Sequence, residues 1–375
     1  MLQFCLTSIL IAFLTCTRRN VQAGFYQPDY FLYNRNTAKK NLGWSLSGNG
    51  RIFSYGQMHF AWATYNSNDI YDETDEISLA TEATFGTNSR ITVEAGNETM
   101  VFGSTRRFEI YGHANIFNST WKRSANFTPM SLLGLPEASV EFQKFRLKND
   151  VLVVSGVRTL NNATQASGFA AVIERHGETW NGTNILEELD GSRDFGQGVA
   201  IANDGNTLYL GVPSKKLVRV FWRNSTHKVL WALRRTLYFR DLFGLSSCFN
   251  GVSFGKELRL VGSHLYVASP LGGYSGRAGE KRGVLHVLKL GVDGQPALIS
   301  SVAGDTSDSE LGTEISVSPP ASDGVLYVFA STPGRGRGQG GVAVVEFHPE
   351  SGSLQMKDVV VGFHTSYNDR MGPHA

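Results

Sequence analysis

The segment at residues 194–213, DFGQGVAIANDGNTLYLGVP, alternates apolar and polar positions in two successive runs. The first run, at 199–201, is followed by the turn residues Asn203, Asp204, Gly205 and Asn206, and the second run follows that turn. Alternation with a period of two on both sides of an Asn-Asp-Gly turn predicts a β-hairpin. Another apolar run at 217–221 predicts a further strand, so one unit holds at least three strands.

This order of elements recurs along the chain. Two clear copies begin at Phe254-Gly255 and Leu311-Gly312, and each has two apolar runs, a glycine-rich loop and another apolar run. Weaker copies lie upstream, and the unit starts fall near residues 42, 85, 142, 195, 254, 311 and 371. The chain is therefore predicted to repeat one strand-rich unit.

The spacing between these unit starts, together with the strands in each unit, predicts an all-β fold. The expected architecture is a β-propeller of about seven four-stranded blades. A small sheet cannot bury both faces alone, whereas neighbouring blades cover them. The glycine after Phe or Leu is expected where the innermost strand starts in a crowded place. The last unit has only begun at residue 371, so the last blade is either incomplete or completed by residues 24–41.

The residues of these units resemble the FG-GAP repeat of integrin α-subunit propellers. The resemblance is carried by Phe195-Gly196, by LYLGVP at 208–213 and by VRVF at 218–221, and it extends over most of residues 42–375. Within that family, NLGWSL at 41–46 and the loop before Gly283 are similar to the C-terminal propeller of glycosylphosphatidylinositol-specific phospholipase D. In that phospholipase a separate preceding domain carries out catalysis. Because the predicted signal peptide runs almost directly into the first repeat, we expect no such domain in this sequence.

The resemblance also implies calcium-binding loops, but the corresponding turn here is degenerate. Calcium needs six to eight oxygen ligands, and carboxylates supply most of them in tight sites. The turn offers Asn203, Asp204 and Asn206 as weak candidates, and the later repeats offer fewer oxygens. We therefore expect no cofactor, with calcium as the alternative.

The N-terminus carries an apolar run at residues 6–14, followed by Val21-Gln22-Ala23. This predicts a signal peptide at residues 1–23 and one propeller domain at 24–375. A short uncleaved anchor is the alternative, since Arg18 and Arg19 lie on the unusual side of the apolar run. No later run is long enough to span a membrane. We expect a secreted or cell-surface protein without a transmembrane segment in its mature form.

Cleavage after Ala23 would leave Cys248 as the one cysteine of the mature chain, so no internal disulfide is expected. A secretory route would make the N-x-S/T asparagines candidate glycosylation sites on surface loops. These are Asn97, Asn118, Asn126, Asn162, Asn181 and Asn224.

The formal net charge of +2 gives no basic surplus of the kind that nucleic-acid binding requires. Locally, residues 215–240 contain eight cations and no acid. With the neighbouring aromatic residues they could form a surface for sulfated glycans or lipid headgroups. The plainer interpretation, which the sequence favours, is an outer strand with solvated charges. The weak ligand-binding candidates are Lys215, Lys216, Arg219, Trp222, Arg223, Arg234 and Arg235.

Local catalytic motifs are missing. The nine histidines do not show metal-ligand spacing, the glycine-rich stretch at 336–341 precedes a predicted strand rather than a helix, and no G-x-S-x-G element occurs. We therefore expect a non-enzymatic binding or adhesion propeller with a protein or glycan ligand. The alternatives are a propeller-only relative or fragment of the phospholipase, and an independent enzyme with side chains gathered at one propeller face.

Overall fold

The structure is a computed structural model of the 375-residue chain. The residues that it describes are 46–48, 52–55, 59–65, 71–78, 92–95, 99–113, 121–159, 166–188, 190–223, 230–244, 248–274, 279–291, 295–318, 320–321, 323–335 and 340–361.

The described residues form six four-stranded sheets, which we name sheets I to VI in chain order. Each sheet consists of four strands consecutive in sequence, and each strand pairs with the next one along the chain. Two short α-helices accompany them in these ranges, α1 at Pro129–Leu133 and α2 at Phe239–Phe243. The all-β prediction is therefore confirmed.

The first three sheets contain strands β1 to β12. Sheet I holds β1 to β4 at Leu46–Gly48, Ile52–Tyr55, His59–Tyr65 and Tyr71–Ser78. Sheet II holds β5 to β8 at Thr92–Ala95, Thr99–Gly103, Phe108–His113 and Trp121–Phe127. Sheet III holds β9 to β12 at Val140–Lys148, Val151–Arg158, Ser167–His176 and Thr179–Glu187.

The remaining sheets contain strands β13 to β24. Sheet IV holds β13 to β16 at Val199–Ile201, Thr207–Val212, Leu217–Trp222 and Ala232–Tyr238. Sheet V holds β17 to β20 at Glu257–Val261, His264–Ser269, Val284–Leu290 and Pro296–Ala303. Sheet VI holds β21 to β24 at Ile315–Val317, Leu326–Ser331, Gly341–His348 and Ser353–Val361.

A bulge recurs at one place in the repeat. The register between the third and fourth strands shifts once in each of five sheets, at Trp62/Ala63, Ile110/Tyr111, Val172/Ile173, Val287/Leu288 and Val344/Val345. A bulge bends the strand that carries it and increases its twist. The repeated units of the sequence therefore share backbone detail as well as strand order.

The chain divides into two compact units. One unit comprises Tyr209–Val220 and the described residues from Arg235 onward; the other comprises the described residues up to Leu208 and those of Phe221–Arg234. The strands of sheet IV are shared between the two units.

In the unit with sheets V and VI, the core lies between those two sheets. Tyr266, Leu285 and Val287 of sheet V pack in one cluster with Val328 and Phe347 of sheet VI, and all five are fully buried. The opposite face of sheet V also carries buried side chains, so β18 and β19 are apolar on both faces. This explains why their sequences contain apolar runs rather than strict alternation.

In the other unit, the core lies between sheets II and III. Phe108 and Ile110 of sheet II pack in one cluster with Phe142, Phe145 and Phe169 of sheet III. The ring of Phe108 meets the rings of Phe142 and Phe145 edge to face, at centroid distances of 5.4 and 5.5 Å. Edge-to-face contacts of this kind stabilise an aromatic core beyond the area that they bury.

The glycine of the Phe-Gly or Leu-Gly pair has a left-handed backbone in each clear repeat, with φ of +81° at Gly196, +88° at Gly255 and +89° at Gly312. A Cβ atom at Gly196 would lie 2.9 Å from the Cβ of Ser155 in sheet III. One at Gly312 would lie 2.7 Å from the Cβ of Ala268 in sheet V. The crowding predicted for this glycine is therefore present, and at Gly196 and Gly312 it comes from the second strand of the preceding sheet.

The predicted hairpin at 194–213 is confirmed, because β13 and β14 are neighbours in sheet IV. Five of the first six predicted unit starts precede one sheet each, whereas the start at 142 lies inside β9, two residues after sheet III begins. The start near residue 371 and the segment at 24–41 lie outside the described residues, so the number of blades stays a prediction.

We predict that Gly312→Ala destabilises the protein by about 2–4 kcal/mol, because alanine would combine an unfavourable left-handed backbone with an overlap against Ala268. The matched control is Gly262→Ala. Gly262 also has a left-handed backbone, with φ of +57°, but an added Cβ there meets nothing within 4 Å. This control should lose about 1 kcal/mol. Urea unfolding measures both changes, and equal losses would show that the overlap contributes nothing.

Candidate functional site

Sheets V and VI expose a group of connecting loops at one end. Because consecutive strands run antiparallel, the loop after the second strand and the loop after the fourth strand leave a sheet at the same end. We call the described residues of these loops the loop surface: 270–274, 279–283, 304–314 and 332–335. Two backbone hydrogen bonds join its segments, from Lys281 N to Ser307 O at 2.7 Å and from Glu310 N to Lys281 O at 2.8 Å.

Asp305 is the centre of a polar cluster on the loop surface. Its Oδ2 atom lies 2.5 Å from Nη2 of Arg335. Its backbone oxygen accepts a hydrogen bond of 3.0 Å from Nη1 of Arg282, whose Nε donates to Oε2 of Glu280 at 3.2 Å. The cluster therefore places two guanidinium groups and two carboxylates on three different loops.

The cluster is partly open to solvent. The side chain of Asp305 is 35% exposed, and those of Arg335 and Arg282 are 21% and 19% exposed. In the described part of the chain, the buried Nη1 atom of Arg335 has no hydrogen-bond acceptor. Lys281, which precedes Arg282 in the chain, is exposed. An anionic group that bound here would meet several donors at fixed positions.

Below the loop surface, sheet V holds a buried histidine between two serines. The Nδ1 and Nε2 atoms of His286 lie 2.8 and 3.4 Å from the Oγ atoms of Ser301 and Ser269. A neutral imidazole has one donor and one acceptor nitrogen, so it can satisfy one serine in each role. Complete burial lowers the pKa of His286 to about 3.

Aromatic rings fix this histidine and connect it to the loop surface. The ring of Phe243 on α2 lies 4.6 Å from the imidazole, and the ring of Phe249 lies at 6.1 Å. Phe249 stacks on Tyr274 at 5.5 Å, and the guanidinium of Arg282 lies 5.4 Å from the centroid of that tyrosine ring. The packing therefore supports the arginine of the loop surface from below.

The basic residues singled out from the sequence do not form one patch. Arg223 is buried and paired with Glu174. Arg219 donates to Thr236, and Nζ of Lys216 donates to the backbone oxygen of Asn250 at 3.2 Å.

Of the remaining candidates, Trp222 and Arg234 are exposed and lie together, with the guanidinium 6.0 Å from the indole centroid. Lys215 and Arg235 are half-buried. Nothing bound identifies a ligand for any member of this set, so their role in binding stays a prediction.

The turn residues proposed as weak metal ligands already have protein partners. Oδ1 of Asp204 accepts from the backbone N–H of Asn206 at 2.8 Å, and Oδ1 of Asn206 accepts from Nε of Arg223 at 3.0 Å. The backbone oxygen of Asn203 accepts from Nδ2 of Asn149 at 3.2 Å. No group of three or more His, Cys, Asp or Glu side chains suited to a metal ion occurs in the described ranges.

Two of the six sequon asparagines lie in the described residues. Asn126 on β8 and Asn181 on β12 are both exposed. The other four, Asn97, Asn118, Asn162 and Asn224, lie outside the described residues. Cys248 is exposed and not bonded to another cysteine. Neither helix in the described part of the chain is long and apolar enough to cross a membrane.

The members of the polar cluster and the buried histidine were missed by sequence reasoning. Arg335 lies next to the glycine-rich stretch at 336–341, which is followed by a predicted strand and carries no binding motif. The apolar-polar pattern contained one usable signal, which is the polar His286 inside the otherwise apolar run of β19. No local motif joins Asp305 to Arg335.

No protein-family model matches the sequence, and no curated protein matches it. Solved structures do resemble the fold. A protein of Bacteroides uniformis, provisionally described as a 6-phosphogluconolactonase, is 10% identical, with a TM-score of 0.53 over 85% of each chain. A similarly described protein of Bacteroides fragilis gives 10% and 0.53 over 85% of this chain and 84% of that chain. The Nup133 β-propeller domain of Vanderwaltozyma polyspora gives 9% and 0.52 over 88% and 87%.

These similarities show that the chain has a β-propeller fold. They contain nothing that is specific to FG-GAP repeats or to the phospholipase. They also overturn the expectation of a non-catalytic adhesion propeller, because two of the similar structures are described as enzymes. The alternative of a propeller-only phospholipase relative is overturned with it. The physical reason for the error is that a propeller carries its chemistry on loops that are distant in sequence, where short catalytic motifs are not required.

The buried His286 predicts an acid-sensitive contribution to stability. Its folded pKa is about 3, below the ordinary value of 6.5. The contribution is therefore fully present above pH 6.5 and is lost as the pH falls from 6.5 towards 3, by at most about 1.4 kcal/mol per pH unit. Urea unfolding between pH 7 and 4 should show a weaker pH dependence in His286→Gln than in the wild type. His176→Gln, at an exposed position of sheet III, is the control and should keep the wild-type slope.

Proposed function

We propose that this chain is a propeller hydrolase that opens the cyclic ester of a small anionic sugar acid at the loop surface. The observation that carries the proposal is the position of the Asp305 carboxylate, which is partly exposed and contacts Arg335 while Arg282 holds its backbone. Carboxylates and guanidinium groups supply a proton acceptor and an oxyanion partner, which are the two roles that ester hydrolysis needs.

In the proposed reaction, a water molecule attacks the carbonyl carbon of the lactone. The new carbon–oxygen bond forms while Asp305 accepts the proton of the water, and the carbonyl oxygen becomes an oxyanion. Arg335, which contacts that carboxylate, and Arg282, which donates to the backbone oxygen of Asp305, stabilise the negative charge. When the tetrahedral intermediate collapses, the ring carbon–oxygen bond breaks, and the proton passes from Asp305 to the leaving alkoxide.

An anionic substrate suits the charge of the loop surface. Lys281, next to Arg282 in the chain, is exposed, and Nη1 of Arg335 has no acceptor within the described residues. The descriptions of the two Bacteroides proteins motivate a phosphorylated sugar lactone as the first substrate to test.

We further propose that the repeats are of the FG-GAP type and that the chain is exported. The left-handed glycines at 196, 255 and 312 support the first proposal, because a positive φ favours glycine at the second position of each Phe-Gly or Leu-Gly pair. The apolar run at 6–14 and the exposed sequon residues Asn126 and Asn181 support the second.

The hydrolase proposal predicts that the wild-type protein hydrolyses 6-phosphogluconolactone faster than unphosphorylated gluconolactone. Asp305→Asn should lower kcat by about 100-fold or more, because an amide cannot accept the proton. Asp308→Asn is the matched control, since Asp308 is an exposed carboxylate of the same loop, and it should retain activity. A pH-stat assay measures all three proteins. The hydrolase proposal is refuted if the wild type hydrolyses the lactone no faster than the spontaneous reaction. The role of Asp305 is refuted if Asp305→Asn hydrolyses it at the wild-type rate.

Export predicts a mature chain that starts near residue 24 and carries N-glycans. Expression in a eukaryotic secretory host, followed by intact mass measurement before and after N-glycan removal, tests this. Replacing Asn126 and Asn181 by Gln should remove the glycan mass from those two sites. Export through this route would be contradicted if the protein were absent from the culture medium. It would also be contradicted if the secreted protein kept Met1 and lost no mass on N-glycan removal.

A further inference from the structure

Tyr274 is a partly exposed aromatic residue of the loop surface, and its ring contacts the guanidinium of Arg282. Tyr274 is 37% exposed, and the Cζ atom of Arg282 lies 5.4 Å from the centroid of the tyrosine ring. A guanidinium within about 6 Å of an aromatic centroid is attracted by the negative face of the ring. The tyrosine ring therefore contributes to the position of this guanidinium.

The backbone that carries the ring is fixed by neighbouring segments. Tyr274 forms an antiparallel bridge with Phe249, whose ring stacks on the tyrosine ring at 5.5 Å. The backbone N–H of Asn250 donates to the backbone oxygen of Gly273 at 3.1 Å. A Cβ atom at Gly273 would lie only 2.8 Å from the backbone oxygen of Glu280. The ring is therefore held against the segment that contains Glu280.

Arg282 is oriented by hydrogen bonds at two of its three nitrogens and by the tyrosine ring. Nε donates to Oε2 of Glu280 at 3.2 Å. Nη1 donates to the backbone oxygens of Gly304 at 3.3 Å and Asp305 at 3.0 Å. The hydrogen bonds engage the N–H groups, whereas the ring of Tyr274 attracts the positive charge of the whole guanidinium.

We infer that Tyr274 is a positioning residue, whose ring holds the Arg282 guanidinium where it stabilises the oxyanion of the hydrolysis. The inference rests on the proposed function, which gives Arg282 that role. A cation that is already in place stabilises the transition state without reorganisation, and a small displacement of it lowers the rate. Packing against Phe249 requires only an apolar side chain, whereas attraction of the guanidinium requires an aromatic ring.

The first test compares Tyr274→Leu with Tyr274→Phe in the full-length protein. Leucine keeps an apolar side chain but has no ring, whereas phenylalanine keeps the ring and lacks only the hydroxyl. We expect Tyr274→Leu to lower kcat for 6-phosphogluconolactone by about fivefold and to change KM by less than about twofold, because the oxyanion forms only in the transition state. Tyr274→Phe should retain about half of the wild-type kcat or more.

A coupling measurement separates positioning from packing. In an Arg282→Gln background, Tyr274→Leu should cause no further loss of kcat, because the ring acts through the guanidinium. The matched control is Leu298→Ala on β20 of sheet V, which is 36% exposed and should keep the wild-type kcat. Thermal unfolding verifies that all variants are folded. The inference is overturned if phenylalanine is as damaging as leucine, or if Tyr274→Leu lowers kcat equally in both backgrounds.

A further measurement does not depend on hydrolysis. The Nε–H signal of Arg282 in a ¹H–¹⁵N NMR spectrum is assigned by its disappearance in Arg282→Lys. Its hydrogen exchange should be about fivefold faster in Tyr274→Leu than in the wild type, and unchanged in Tyr274→Phe. If the wild type shows this difference but does not hydrolyse the lactone, the hydrolase proposal fails while the positioning of Arg282 is confirmed. An unchanged exchange rate in Tyr274→Leu overturns the inference whatever the hydrolysis rate.

Discussion

The close approach of neighbouring sheets at the left-handed glycines 196, 255 and 312 is the constraint on which the rest of the structure depends. At Gly312 the backbone passes so near to Ala268 that a Cβ atom would lie 2.7 Å from the alanine methyl group. The preceding Leu311 is fully buried in the core between sheets V and VI. One short element therefore brings the two sheets together and contributes to their shared core, and a side chain in place of the glycine hydrogen would separate them.

Close packing also holds the segments of the loop surface against one another. Glycines again allow the backbone segments to approach closely, since a Cβ at Gly304 would lie 2.1 Å from the backbone oxygen of Arg282, and one at Gly334 would lie 1.9 Å from that of Asp308. Because the loops are held against one another by backbone contacts, Asp305, Arg282 and Arg335 keep fixed relative positions. A polar cluster held in this way loses little conformational entropy when it binds a ligand.

Much of the fold could be predicted from local sequence, because its determinants are local. The turn at 203–206 and the alternation around it defined a hairpin, and the Phe-Gly and Leu-Gly pairs defined the repeat. The polar cluster could not be predicted in this way, since Asp305 and Arg335 are thirty residues apart and meet only through the pairing of sheets V and VI. Their contact depends on strand register and sheet packing, which no local pattern encodes.

The basic segment shows a second limit of sequence reasoning. Composition placed Trp222 and Arg223 in one surface because they are adjacent, whereas the strand period sends them to opposite faces, one exposed and one paired with Glu174. Glu174 belongs to sheet III and precedes its partner by 49 residues, so the ion pair was invisible in the segment itself. A run of cations in a repeated β-fold therefore divides into structural and accessible members according to strand parity. Charge counted along the sequence therefore overstates the accessible charge.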